Sequence, residues 1–306
     1  MLTTSVLPLA GASLDPVSDF RQLTEFPFMV NALEAGTIVA VLAGVVGWFM
    51  VIRGQTFAGH TLSVMAFPGA SAALLAGVSA AAGYFVFSGV VALVIGLAGG
   101  RRTRANRAQE SAVTGTVQAF GLACGFLFLS LYQGVLGNYE NLLFGSFLGI
   151  TSGQVIALAG VAAAALAVLA IAGRPLLFAS LDADVARARG VPTRGLGIGF
   201  LLLLGLAVAE TAQITGALLV FALLVAPPAT AQLITPRIGA SLLLSVLIGV
   251  LVTWVGLALA YFDHYPVGFY VTSAAFAAYL LARAGRALAA RARPLEARAA
   301  AAAAAG

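Results

Sequence analysis

Apolar runs near 20 residues long, separated by short polar breaks, recur along almost the whole chain. They fall at 28–52, 57–77, 83–100, 111–131, 153–173, 195–211, 215–234, 239–262 and 267–283. A helix needs ~20 such residues to cross a hydrocarbon core of ~30 Å. The pattern therefore predicts an all-α integral membrane protein, a polytopic bundle of eight or nine transmembrane helices. The stretch 195–234 has to be two passes, because one straight helix of that length would extend about 60 Å at 1.5 Å per residue. Glu210, Thr211, Gln213 and Thr215 mark the place to turn, and Pro227-Pro228 is expected to break or kink the second pass. The segment 141–152 (NLLFGSFLGITS) is too short to cross and is read as dipping into the membrane. If one such weak segment is re-entrant, nine passes become eight. The chain thus divides into a short outer tail (1–27), a membrane domain (28–283) and an Ala/Arg-rich tail (284–306).

Composition sharpens this picture. Hydrophobic residues make up 61% of the 306, charged residues only 9%, and the mean hydropathy is +1.03. An ordinary soluble domain carries about 25% charged residues. All 16 basic residues are Arg. A nucleotide-binding Walker A loop needs its Lys, so any ATP hydrolysis must come from another subunit. The net charge of +5 reflects arginines gathered on one membrane face and gives no support to a nucleic-acid partner. Arg53, Arg101, Arg102, Arg104 and Arg107 mark inner connections. Arg174, Arg187, Arg189, Arg194 and Arg237 mark others, and Arg283, Arg286, Arg291, Arg293 and Arg298 lie in the tail. Arginine-rich loops stay cytoplasmic, which puts the N-terminus outside and the C-terminus inside. The start of the chain lacks a basic segment followed by a long apolar core, so it does not read as a cleaved signal. Cys124 is solitary within an apolar span and reads as a small core residue, with no disulfide framework or CxxC motif.

Against this apolar background His60 stands out. It lies in FAGHTLSVMAFPG at 57–69, followed by the small-residue run ASAALLAG. A charged side chain at mid-membrane costs about 2.5–3.5 kcal/mol on insertion scales. Histidine lessens that cost by staying neutral, and a neutral imidazole is the commonest metal ligand. Two readings stay open: a place on an ion or substrate path, or a neutral His held between packed helices. Ser63 on the same helix and Glu210 near the turn are further polar candidates for such a path. Asp263 and His264 sit at an outer turn, where they would catch an ion at a pore mouth or simply be solvated. Glu34, early in the first span, faces the outer interface. A serine hydrolase is disfavoured: Ser63 is three residues from His60 on one helix, and no GxSxG elbow occurs.

The loop 173–195 reads GRPLLFASLDADVARARGVPTRG. Ser180 is placed as an N-cap, Asp182 and Asp184 suit the positive end of a short helix, and Arg187 and Arg189 suit its negative end. Gly190 is positioned to end the helix in the left-handed conformation, and Pro192 prevents continuation. Leu181, Val185 and Ala188 share one side. The loop predicts a two-turn amphipathic helix on the cytoplasmic surface, specified well enough to dock a partner.

Here the chain resembles the permeases of zinc/manganese-type ABC transporters. The loop SLDADVARARGVP is similar to their coupling helix, with an acidic residue, Ala and Gly four apart at Asp182, Ala186 and Gly190. The likeness extends to NALEAG in the first span and GHTLSVMAFPG in the second. It continues in TGALLVFALLVAPPATAQL and YFDHYPVGFYV, all in the family's order. The resemblance implies a type II ABC importer fold on the bacterial plasma membrane, without enzymatic activity of its own. The implied partners are a cytoplasmic ABC ATPase dimer, an extracellular metal-binding lipoprotein and a second permease copy. No cofactor is held stably; divalent zinc or manganese would be the cargo. Asp182, Ala186 and Gly190 would couple to the ATPase, and His60, Ser63 and Glu210 would line the pathway.

One departure touches the most interesting position. Where the family has Asp and His four residues apart, this chain has His60 and Val64. An i,i+4 pair shares one helix face, so one ligand type has changed and the other is lost. Imidazole still suits zinc, whereas Val64 offers nothing and Met65 points about 100° away. The change leaves a metal chelate or other small solute as an alternative cargo. It equally allows this chain to be the degenerate half of a heterodimeric permease.

Overall fold

The computed structural model describes residues 23–98, 104–132, 145, 149–263 and 265–304. Residues 1–22 of the tail, most of the 132–152 connection and His264 lie outside them. Nine helices carry the described chain: α1 (Pro27–Ile52), α2 (Thr56–Leu75), α3 (Ala80–Ala98), α4 (Arg104–Leu131), α5 (Ser152–Leu181), α6 (Ala183–Ala188), α7 (Thr193–Ile234), α8 (Ile238–Phe262) and α9 (Val267–Ala304). No strand occurs among the described residues, and the protein is an all-α polytopic membrane bundle, as the hydropathy pattern predicts. Among the described residues seven helical segments are long and apolar enough to span, and Leu219–Ile234 is a shorter apolar helix. The 20-residue α2 is not among the seven. Thr56, His60, Thr61, Ser63 and Ser71 interrupt its apolar sequence.

Packing places α1 and α7 at the centre. In α1, 67% of the most apolar window is buried, against 28% in α5 and 11% in α9. Helix α7 packs against α1, α2, α3, α5, α8 and α9. One α1 contact shows how tightly lipid-embedded helices approach. Pro228 has no N–H, so it frees the carbonyl of Leu224 four residues earlier. That carbonyl lies where a Cβ on Gly47 would come within 2.2 Å of it. Only glycine leaves room for this approach, in keeping with small residues at helix interfaces in membranes. Of the expected break or kink, the break does not occur: α7 continues through Pro227 and Pro228 to Ile234.

The reversal within α7 occurs at Gly216, whose φ of 74° and ψ of 159° are non-helical. Near the start of α7, Phe200 meets Phe49 at a ring separation of 6.4 Å. Near its end, the Gln232 amide donates to the Trp48 carbonyl at 3.3 Å. Both limbs therefore finish beside the C-terminal end of α1. At the opposite end, Gly145 (φ 78°) packs against the Ile214–Gly216 backbone, where a Cβ would lie 2.3 Å from the Ile214 carbonyl. Asn31 at the start of α1 donates to the Ile150 carbonyl at 3.0 Å at this same end. The two expected passes are present, with the turn one residue beyond Thr215. Glu210, Thr211 and Thr215 are not turn residues: all three are buried within the helix.

Candidate functional site

Four of the hydroxyls buried in the bundle share one solution. Ser63 donates to Gly59 O at 2.9 Å, Ser71 to Phe67 O at 3.0 Å, Thr211 to Ala207 O at 2.6 Å and Thr253 to Gly249 O at 2.8 Å. Each gives its proton to the carbonyl one turn back, which satisfies it without a partner helix. Ser63 therefore has its donor engaged within α2.

The buried side-chain atoms that lack a hydrogen-bond partner among the described residues belong to His60, Ser88 and Glu210. Buried polar atoms are nearly always paired, so these positions call for a ligand or a function. His60 sits about one turn into α2. Its Nε2 lies 3.4 Å from Nε2 of Gln118 on α4, and its ring meets Phe221 of α7 edge-on at 4.8 Å. Gln118 is itself held by Thr61, whose Oγ1 is 3.1 Å from Oε1. With the amide oxygen on Thr61, the amide N–H faces the imidazole, and the same hydroxyl also reaches Phe57 O at 3.1 Å. An imidazole accepting at Nε2 carries its proton on Nδ1, the atom that is buried and unpartnered. The ring as a whole is only half-buried, and Val64, on the same helix face, is likewise half-buried.

Sequence reasoning missed Gln118. Its signal is Thr114 and Gln118 at i,i+4 spacing on an otherwise apolar span, which gives one polar face. Ser88 was also missed; its backbone lies against Gly205 of α7, where a Cβ would come within 2.9 Å of the Ser88 carbonyl.

Glu210 is 0% exposed. Its carboxylate approaches the Ala162 backbone on α5, yet neither oxygen completes a hydrogen bond. It faces α5, whereas the His60 ring is met by α4 and the second limb of α7. No three His, Cys, Asp or Glu side chains converge to hold a metal among the described residues. The site around His60 is one imidazole, one amide, one hydroxyl and one aromatic edge. At the far end of α8, Asp263 is exposed and accepts from the Tyr270 hydroxyl.

Between α5 and α7, α6 forms the expected short helix, with one correction at its start. Helix α5 continues through Pro175 to Leu181, and the N-cap is Asp182 instead of Ser180. Asp182 Oδ1 accepts from the backbone N–H groups of Asp184 (3.1 Å) and Val185 (2.9 Å). The helix ends as its glycine dictates. Gly190 has φ 81°, and Val191 N–H bonds back to Ala186 O at 3.0 Å, the six-to-one bond of a glycine-terminated helix. Ala186 is buried, while Leu181 and Val185 are 67% and 45% exposed. An exposed apolar face on a capped surface helix suits contact with another protein.

The family model of the ABC 3 transport family matches residues 25–286. The chain belongs to this family. It is thus an ABC-transporter permease subunit, a multi-pass protein of the bacterial cytoplasmic membrane. Among curated relatives, the "Manganese transport system membrane protein MntC" of Halalkalibacterium halodurans is 28% identical over 232 residues, 76% of this chain and 78% of that protein. The "Manganese import system permease protein ScaB" of Streptococcus parasanguinis is 28% identical over 256 residues, 83% and 90% of the two chains. The "Chelated iron transport system membrane protein YfeC" of Yersinia pestis is 29% identical over 237 residues, 78% and 79%. Among solved structures, PsaBC from Streptococcus pneumoniae in complex with Fab aligns with a TM-score of 0.76 at 26% identity, covering 87% of this chain and 94% of that one. An inward-facing putative metal-chelate type ABC transporter aligns at 0.67 and 19% identity, a likeness of fold.

Proposed function

We propose that this ABC 3 permease carries a divalent transition metal, zinc or manganese, into the cell. It works as one of two permease copies above a cytoplasmic ATPase dimer and below an extracytoplasmic binding protein that delivers the ion. The observation that carries this reading is His60. It is an imidazole within a largely apolar helix, with an unpartnered Nδ1 and only Gln118 at Nε2. Relatives named as manganese and iron transport proteins support the metal class.

In this reading the ion meets His60 Nε2 as Gln118 turns its amide oxygen toward the cation. The half-buried side of the ring is where the second copy adds its own ligands. Glu210, fully buried between helices, and Asp263 with His264 at the outer turn are assigned to the pathway and its mouth. Asp182, Ala186 and Gly190 shape the surface on which the ATPase closes. The deciding experiment is uptake of zinc and manganese in a strain lacking this gene and any companion importer. Reduced accumulation of one metal, restored by the gene, is expected; normal accumulation of both contradicts the proposal.

Val64 favours a second reading, in which this chain pairs with a different permease that keeps both ligands. Val64→His then raises metal transport by this chain alone. No gain in transport counts against that pairing.

A further inference from the structure

We infer that Arg53 is the positioning residue that carries motion of α6 to the helix bearing His60; this rests on the ATP-driven transport proposed above. Arg53 is the C-cap of α1, and only Gly54 and Gln55 separate it from α2. That turn is fixed by the backbone: Gly54 N–H bonds to Val51 O and Gln55 N–H to Met50 O, each at 3.0 Å, with Gly54 at φ 63°.

The guanidinium reaches three elements at once. Its Nε donates to Gln55 Oε1 at 2.8 Å, at the N-cap position of α2. Its Nη1 donates to Ser180 Oγ at 3.0 Å, in the last turn of α5 and two residues before the Asp182 cap of α6. Its Cζ stacks 5.1 Å from the centroid of Phe200, in the second turn of α7. Nη2 lies over Gly197, where a Cβ would be 3.6 Å away.

One side chain thus grips both flanks of α6 and the start of α2, five residues before His60. A displacement of α6 moves Ser180 and the base of α7 together, and Arg53 transfers that movement to Gln55. The fork makes this specific to arginine. Two N–H vectors serve two acceptors while the plane stacks on an aromatic ring, an arrangement that a lysine ammonium cannot reproduce. Ser180 fits the role as well. Its proton goes to Leu176 O at 2.5 Å, which leaves the oxygen free to accept from Arg53.

The test uses the complete transporter, with its ATPase and binding protein, in lipid nanodiscs and proteoliposomes. Arg53→Ala and Arg53→Lys are compared with the parent chain. The first readout is zinc or manganese transported per ATP hydrolysed. The second is the change in hydrogen exchange at residues 55–60 when ATP is added. In both variants basal ATPase is expected to stay within about twofold. Metal per ATP falls about tenfold, inside the 5–150-fold span typical of coupling between sites, and the ATP response at 55–60 disappears. Arg53→Lys keeps a cation at the membrane surface, so it answers the case in which Arg53→Ala fails to assemble. The proposal is overturned if Arg53→Lys keeps both the stoichiometry and the exchange response. It is equally overturned if transport and hydrolysis fall in the same proportion. A parent chain that moves neither metal, yet shows an ATP response at 55–60 that Arg53→Lys lacks, refutes the metal reading and leaves the Arg53 link standing.

Discussion

The α6 loop and the His60 site are built by opposite means. Everything that shapes α6 lies within about ten residues: the Asp182 cap, the left-handed Gly190 and the Val191-to-Ala186 bond. The surroundings of His60 come from three helices, with Gln118 at a sequence distance of 58 and Phe221 farther still. A locally capped helix can act as a rigid lever at a surface. A site assembled by packing can change its ligand set when helices shift, which alternating access requires. The difference teaches that one region is specified by its own residues, whereas the other depends on how separate helices pack.

The strongest way to break this contrast is to disturb the packing and leave the loop untouched. Gly47→Leu places a side chain where the Leu224 carbonyl already sits. It is expected to abolish a monodisperse, detergent-stable protein, measured by size-exclusion of a fluorescent fusion. A retained monodisperse peak would mean that α1 and α7 have slack that the structure does not show.

Next comes the end of the lever. An L-residue held in the left-handed conformation costs roughly 1–2 kcal/mol, so Gly190→Val should weaken capture of the ATPase subunit about 5–30-fold. Co-purification at graded ATPase concentration reads this directly, and the membrane domain itself should be unchanged. Asp182→Ala loses an N-cap worth about 0.5–2 kcal/mol and should weaken the same capture less, with Asp182→Asn close to the parent. Arg187→Ala is the smallest. The Arg187–Asp184 pair at 3.2 Å is exposed on both sides, and exposed pairs add little. No measurable change in capture or uptake is expected. A large effect there would show that the arginine touches the ATPase.

The two regions were also unequally legible in the sequence. The spans and the short α6 helix follow from hydropathy and capping chemistry, both local signals. The errors have local causes too. Ser180 is a good cap by type, yet α5 loses only one hydrogen bond at Pro175 and runs on to Leu181, so Asp182 takes the role. Glu210, Thr211 and Thr215 look like a turn because they are polar. The threonines instead satisfy themselves on carbonyls one turn back, and the reversal goes to Gly216, where a positive φ is tolerated. The partners of His60 were not legible, because nothing in a single span says which face of α4 meets α2. The contact of Ser88 with α7 is hidden for the same reason, and so is the triple grip of Arg53.

ATP-driven uptake of radiolabelled zinc and manganese into proteoliposomes, measured beside ATP hydrolysis, tests the central claim most directly in the parent chain and His60→Ala. Loss of a group merely supporting a metal ligand costs about 10–100-fold in affinity or activity. His60→Ala should therefore lose at least about tenfold in uptake of the transported metal, with the assembled complex intact and basal hydrolysis retained. Uptake at the parent rate by His60→Ala would contradict the account.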